Sequence, residues 1–382
     1  MRIAINALFL DHPGSGTGVY TANVLRVLGE LAPRRGHHLL TFVTGATRPD
    51  GPTVGVALPT PFDGQRDNLA KLLFEQAALP AAVAQGRADL LYSPYFSLPL
   101  AGAGHGVVTI HDMIPLLLPE YAPSRPIQAY FKLVIAAARR ARAVITVSEH
   151  AKGDITRVLS LPPQRVHVVP EGADTRFRPL PDGAASDAVR RRYGLPERYA
   201  LYLGGGDTRK NVGVLLDALA GMDAAQRAAV PPLVVVARAR ATYSPLFPDL
   251  RGHAARLDLG QRVHFVDWVE EEDKPALYAT AEVFCFPSLY EGFGLPPLEA
   301  MSCGTPVLCS RATSLPEVVG DGGLLLDPQD PTSWAAALAE VCGDPARRRD
   351  LSERGLAQAA RFGWPAMGER VLGILEKAGE SQ

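Results

Sequence analysis

The stretch that decides the reading of this chain is Pro287-Ser-Leu-Tyr-Glu291-Gly-Phe-Gly294-Leu-Pro-Pro-Leu-Glu299-Ala-Met301. It follows a short apolar run, 282–286, that reads as a buried strand, and it precedes a second such run at 306–309. Proline fits a helix only in its first turn, where its missing N–H costs nothing. Pro296 and Pro297 therefore mark a helix start, and Gly304 marks its end. Glu291 falls in the loop that enters this helix, and Glu299 falls on its first turns. Gly292 and Gly294 let backbone approach a ligand closely, and the N–H groups of the helix start face the same space. One short unit thus offers two carboxylates and several donors beyond the C-terminal end of a strand, where open α/β sheets bind ligands. Two glutamates on a solvated turn would be the plain alternative. The glycines, prolines and strand context favour a ligand site.

A second constellation lies upstream, at Gly204-Gly-Gly206-Asp-Thr-Arg209-Lys210-Asn211, again strand, glycine loop and helix start. Gly205 permits close approach. Arg209 and Lys210 at the positive end of a helix suit a pyrophosphate, one by fork geometry and the other as a point charge. A third follows the first strand, 3–9: Pro13-Gly-Ser-Gly16-Thr-Gly18 leads into a helical pattern through Val19, Ala22, Leu25 and Leu28. Such a turn binds anions. The next strand, 39–43, carries no acidic residue at its end to hold a ribose, which counts against NAD. The strand at 107–110 ends in His111 and Asp112, and the strand at 143–147 leads to Ser148. Most lone histidines are structural, but His111 stands at a strand's C-terminal end beside an acid.

Strand and helix patterns alternate twice, before and after a polar, proline-bearing stretch at 175–197 that reads as a linker. This α/β pattern predicts two doubly wound domains facing one cleft. Residues 45–67 read as loops around one short strand. A basic amphipathic pattern at 126–142 suits a helix packed on its sheet, and it leaves room for peripheral contact with a membrane surface. The length of 382 residues, 47% hydrophobic and 21% charged content describe a globular protein with a sizeable core. A formal net charge of -1 gives no push towards nucleic acid. Four cysteines without a CxxC pair read as buried thiols in a reducing, cytoplasmic compartment. No run reaches the 18 or so apolar residues of a membrane span.

The 291–301 run matches E-G-F-G-L-P-x-L-E-A-M at every specified position. It resembles the Glu-x₇-Glu signature of retaining glycosyltransferases of the GT-B fold, family 4, also called glycosyl transferases group 1. Arg209-Lys210-Asn211 resembles that family's phosphate clamp, although some members place a further Arg directly after the strand, where this chain has glycine. Thr-Ile-His-Asp-Met-Ile-Pro-Leu-Leu-Leu-Pro-Glu-Tyr, starting at Thr109, resembles a subgroup that includes many mannosyltransferases. The run from Val166 to Asp174 resembles the strand into the interdomain linker, where Asn is commoner than this chain's Glu171. The likeness spans nearly the whole length, strongest at 199–330 and weakest at 45–100.

The resemblance implies two Rossmann-like domains, 1–174 on the acceptor side and 175–363 on the nucleotide-sugar side, with a helix at 364–382 crossing back to the first. It implies that Glu299 holds the ribose, and that Glu291 with the N–H groups of Phe293, Gly294 and Leu295 holds the sugar. Gly205, Arg209 and Lys210 would face the diphosphate, with Gly16 and Gly18 near it. His111 would touch the sugar or steady an oxocarbenium-like transition state. Asp112 would orient the His111 ring or contact acceptor, and Ser148 would stand on the acceptor side.

The chain has no Asp-x-Asp and no His/Cys cluster at ligand spacing to hold Mg²⁺ or Mn²⁺. The expectation is therefore transfer without metal or other cofactor, with Arg209, Lys210 and helix dipoles neutralising the leaving group. The expected reaction moves a hexose, with GDP-mannose favoured, from a nucleoside diphosphate sugar to a hydroxyl of a glycan or lipid-linked acceptor. It would serve polysaccharide biosynthesis in the cytoplasm or at the inner membrane face. A UDP-sugar-dependent transferase, a GT-B-like epimerase and a non-catalytic sugar-nucleotide binder are the rival readings.

Overall fold

A computed structural model describes residues 1–44, 54–63, 67–180 and 183–380. The chain forms two compact units, Met1–Glu171 with Trp364–Gln382, and Gly172–Gly363. Among the described residues the first unit holds β1 (Arg2–Asn6), β2 (His38–Val43), β3 (Val54–Ala57), β4 (Leu90–Ser93), β5 (Gly106–Thr109), β6 (Ala143–Thr146) and β7 (Val166–Val168). They pair in parallel in the order β3-β2-β1-β4-β5-β6-β7. The second unit holds β8 (Ala200–Leu203), β9 (Leu233–Val236), β10 (Val263–Val266), β11 (Val283–Phe286), β12 (Val307–Ser310) and β13 (Leu324–Leu326). Their order is β10-β9-β8-β11-β12-β13, again parallel. Each sheet thus runs outward, returns to its centre and runs outward the other way. This is the doubly wound pattern, with its reversal between β1 and β4 in one unit and between β8 and β11 in the other. The strands are short apolar runs because both faces of a parallel sheet are covered by helices. β4, β6, β8, β9, β11 and β12 are buried at every position.

The helices that matter for the site are α1 (Gly16–Arg34), α2 (Arg125–Arg140), α3 (Glu149–Leu159), α4 (Gly213–Gly221), α5 (Leu295–Ser302) and α6 (Trp364–Glu380). The Ser15 side chain caps α1 by accepting from the Gly18 N–H at 3.0 Å. α6 packs on α1 within the first unit. Their approach is close enough that a Cβ on Gly368 would lie 2.2 Å from Val27 Cγ1. α2 buries Val134, Ala137 and Ala138 against the first sheet's core, so its basic face is the outer side of a packed helix. Between β3 and β4, a helix runs through Asp67–Leu73 and Leu79–Gln85 and is interrupted by a π turn at Phe74–Ala78.

Two expectations need correction. The stretch 175–197 is not all linker: Gly183–Tyr193 is helical, and its Val189 is buried. The polar composition concealed it because one apolar side is enough to dock a short helix. The first strand is also shorter than 3–9, since Leu8–Asp11 turns into a 3₁₀ segment. Of the loops expected at 45–67, residues 45–53 and 64–66 lie outside the described residues, and β3 supplies the short strand. All four cysteines are buried free thiols. Among the described residues no helix is long and apolar enough to cross a membrane.

Candidate functional site

The loops leaving β8 and β11 flank the reversal point of the second sheet, where the strand order opens a crevice. The β8 loop, 204–212, carries the glycines and the Arg209-Lys210 pair. The β11 loop, 287–294, carries Glu291. Backbone and side chain stitch the two together. Leu289 N–H donates to the Arg209 carbonyl at 2.8 Å, and Arg209 Nη1 donates to the Tyr290 carbonyl at 2.7 Å. Asn211 donates through Nδ2 to the carbonyls of Pro287 at 3.2 Å and Pro328 at 2.6 Å. It sits at φ 54°, a left-handed conformation that asparagine tolerates better than most residues.

Both cations close on one carboxylate. Lys210 Nζ lies 2.7 Å from Glu291 Oε1, and Arg209 Nη1 lies 3.0 Å from Oε2. Lys210 also sits over the Phe286 ring at 5.0 Å, and Arg209 Nε lies 3.5 Å from Asp207 Oδ1. The three side chains are 12–13% exposed. Burial alone would push the Glu291 carboxyl up. Lys210 and Arg209 beside it more than offset that and hold it below the usual value. Thr313 Oγ1 accepts from the Glu291 N–H at 3.0 Å, and Ser314 Oγ donates to the carbonyls of Glu291 at 2.9 Å and Phe293 at 2.7 Å. These two residues fix the loop's path, and Thr313 does so from φ 53°.

Gly294 ends the loop at φ 125°, in a region that favours glycine, and a Cβ there would lie 2.8 Å from Leu315 Cδ2. α5 then begins at Leu295, with the two prolines at its start as expected, and Gly304 follows it at φ 77°. Pro296 and Pro297 carry no N–H, so the donors at the opening of α5 without a partner within the helix are those of Gly294 and Leu295. Glu299 lies one turn further on. It has a hydrogen bond from the Tyr278 hydroxyl at 3.0 Å and no cation of its own in contact distance among the described ion pairs. Burial pushes its carboxyl up to about 7, with Lys274 and the Tyr278 bond working the other way.

The remaining expected residues have these places. Gly205 accepts a hydrogen bond from the Tyr202 hydroxyl at 2.6 Å, and a Cβ there would meet Asp207 Oδ2 at 2.8 Å. Gly18 lies so close to the His12 carbonyl that a Cβ would stand 2.0 Å from it, whereas Gly16 faces open space. Gly18 is therefore required by packing of the turn. Ser148 is the N-cap of α3, accepting from the Ala151 N–H at 3.0 Å. Asp112 accepts from the Ile114 N–H at 2.9 Å and so shapes the turn after β5.

The His111 ring is engaged on both sides, with Nδ1 3.1 Å from Glu171 Oε1 and Nε2 3.0 Å from the Pro94 carbonyl. Glu171, rather than a neighbour in sequence, supplies the hydrogen bond to Nδ1. Sequence reasoning noted Glu171 only as an unusual residue, and it passed over Asp207, Thr313 and Ser314. The signal for Glu171 was present, as a carboxylate in a position expected to carry an amide. Among the described residues no group of three or more His, Cys, Asp or Glu is placed to hold a metal ion.

The family model described as Glycosyl transferases group 1 matches residues 187–358, and that of Glycosyltransferase Family 4 matches residues 15–177. The chain is 34% identical over 277 residues to O-antigen chain mannosyltransferase B of Escherichia coli, covering 72% of this chain and 71% of that protein. It is 30% identical over 303 residues to the serotype-specific mannosyltransferase WbdA of Escherichia coli, where 76% of this chain spans 37% of the longer relative. Its structure is similar to HepE of Anabaena in complex with UDP and glucose, with a TM-score of 0.74 and 21% identity over 99% of this chain and 100% of that one. At that identity the likeness concerns the fold, which is GT-B.

Proposed function

This chain belongs to the family 4, group 1 glycosyltransferases, and on that premise we propose that it is a retaining, metal-independent hexosyltransferase. Its proposed donor is GDP-mannose, and its proposed acceptor is a hydroxyl of a glycan or lipid-linked glycan. One observation carries the reading: Arg209, Lys210 and Glu291 converge at the reversal point of the second sheet, beside the helix start that leads to Glu299. Two cations and a helix N-terminus match a diphosphate leaving group. A carboxylate already at hydrogen-bond distance from them matches a neighbouring sugar hydroxyl. Glu299, whose carboxyl burial pushes up to about 7, is assigned the ribose hydroxyls, which donate to its ionised form. Mannose is favoured because both mannosyltransferase relatives and the Thr109–Tyr121 motif point the same way.

In this reading the bond from the anomeric carbon to the phosphate oxygen breaks while the acceptor oxygen attacks from the same face. The acceptor's proton passes to the departing phosphate, and Arg209 and Lys210 take up its growing charge. No metal is assigned a part. A panel of nucleotide sugars, assayed with excess EDTA for release of nucleoside diphosphate, tests all of this together. GDP-mannose should be cleaved only when a mannose-terminated oligosaccharide acceptor is present, at an undiminished rate. Turnover with UDP-hexoses alone would overturn the donor. Release without acceptor would overturn transfer, and loss of activity restored by Mg²⁺ or Mn²⁺ would overturn metal independence.

A further inference from the structure

Glu171 has no part in the donor chemistry just described, yet it is a carboxylate only 4% exposed. It lies shortly after β7 and reaches a ring 60 residues earlier in the chain, at the end of β5. The geometry of that ring restricts its protonation. A neutral imidazole has one N–H and one lone pair. The Pro94 carbonyl, 3.0 Å from Nε2, can only accept, so Nε2 must donate. In a neutral ring this would leave the Nδ1 lone pair facing the Glu171 carboxylate at 3.1 Å. A doubly protonated ring satisfies both neighbours, with a charge-assisted bond to Glu171. Tyr20 of α1 closes a further side, its ring edge-on to the imidazole at 4.5 Å and 85°. The Tyr20 hydroxyl is itself engaged with Tyr92 at 3.2 Å and Thr109 at 3.4 Å, so the ring around His111 is walled by side chains with fixed partners.

We propose that Glu171 is a positioning residue for sugar transfer: it holds His111 as an imidazolium whose two N–H groups both point at protein oxygens, so that His111 acts through its charge and not as a base or a donor to substrate. Such a cation would oppose positive charge on an oxocarbenium-like sugar and favour the negative charge that grows on the departing phosphate, and being fixed beforehand it needs no reorganisation. The titratable groups facing the ring are Tyr20 from α1, Glu171 from beyond β7 and Asp112 beside it, with Tyr92 of β4 behind Tyr20. Burial would lower the affinity of the ring for its proton. The hydrogen bond and charge of Glu171 reverse this, and the ring's value lies above the usual one.

The role in transfer rests on the proposed function; the paired charge state does not. The test uses the full chain with ¹³C-labelled histidine, nine rings in all, with the His111 signal assigned from His111→Gln. The His111 ring should titrate above the usual histidine value in the wild type and at least one unit lower in Glu171→Gln, whose amide oxygen can still accept from Nδ1. One unit corresponds to about a factor of ten. Transfer by Glu171→Gln should therefore match the wild type near pH 6 and fall roughly tenfold below it near pH 8. Identical His111 titrations in the two proteins, or an equal loss of kcat at every pH, would overturn the proposal. So would a wild-type ring already neutral at pH 7, a result that stands even if the variant does not fold. A wild type inactive on every sugar would count against the transferase reading, while the titration would still decide the Glu171–His111 pair.

Discussion

Glu291 and Glu299 stand in one strand-to-helix turn, on either side of Gly294, yet they meet opposite surroundings. Glu291, in the loop, is gripped by Lys210 at 2.7 Å and Arg209 at 3.0 Å, and its carboxyl is held below the usual value. Glu299, on α5, has the Tyr278 hydroxyl at 3.0 Å, and burial lifts its carboxyl to about 7. The same chemical group is thus set for two tasks by what lies around it. One carboxylate is locked in its charged form within a cluster of two cations and Asp207. The other is raised by burial towards its neutral form. In the proposed function, a donor molecule with a diphosphate, a sugar and a ribose offers each a distinct counterpart.

The largest expected effect comes from breaking the cationic side of this comparison. Lys210→Ala and Arg209→Ala should each lower transfer by roughly 10²–10³-fold, the usual cost of removing a preorganised stabiliser of developing charge. Each should also lower stability, because Glu291 is left buried with a weakened pair. Steady-state rates together with urea midpoints separate the two losses. Near-wild-type rates in both single variants would remove Arg209 and Lys210 from the chemistry.

The fold and half of the site were legible in the sequence because they rest on local signals. Pro296 and Pro297 set the start of α5, and the apolar runs at β8, β9, β11 and β12 gave the alternation that a doubly wound sheet requires. The spacing of Glu291 and Glu299 was also plain. Their difference was not, since it depends on partners distant in the chain: Lys210 lies 81 residues from Glu291. The same holds for His111, whose ring nitrogens are occupied by Pro94 and Glu171, neither of them a neighbour in sequence. The helix at Gly183–Tyr193 was hidden for another reason, namely a polar composition with little apolar area to read.

A smaller effect sharpens the comparison through pH. Nucleoside diphosphate affinity of the wild type should fall as pH drops below about 7, because protonated Glu299 offers fewer acceptors to ribose hydroxyls. Glu299→Gln should flatten that dependence. Stability should move in the opposite sense for the two glutamates. The folded value of Glu299 is raised, so its contribution is full below the ordinary carboxylate range and is lost as pH rises through about 7. That of Glu291 is lowered, so its contribution is present above the ordinary range and is lost as pH falls through the depressed value. Urea midpoints of the two Gln variants between pH 3 and pH 8 check both signs. A parallel response in the two would contradict the distinction between them.

Calorimetric titration of Glu291→Gln and Glu299→Gln with free nucleoside diphosphate, beside their transfer rates, tests the division of labour most directly. Free diphosphate carries the nucleoside and phosphates but no sugar. Glu299→Gln should weaken its binding, because a hydrogen bond to a charged group contributes about 1.5–3 kcal/mol. Glu291→Gln should leave that affinity unchanged or raise it, since Arg209 and Lys210 are freed from a competing carboxylate, while transfer falls. An equal loss of diphosphate affinity in the two variants would contradict the account.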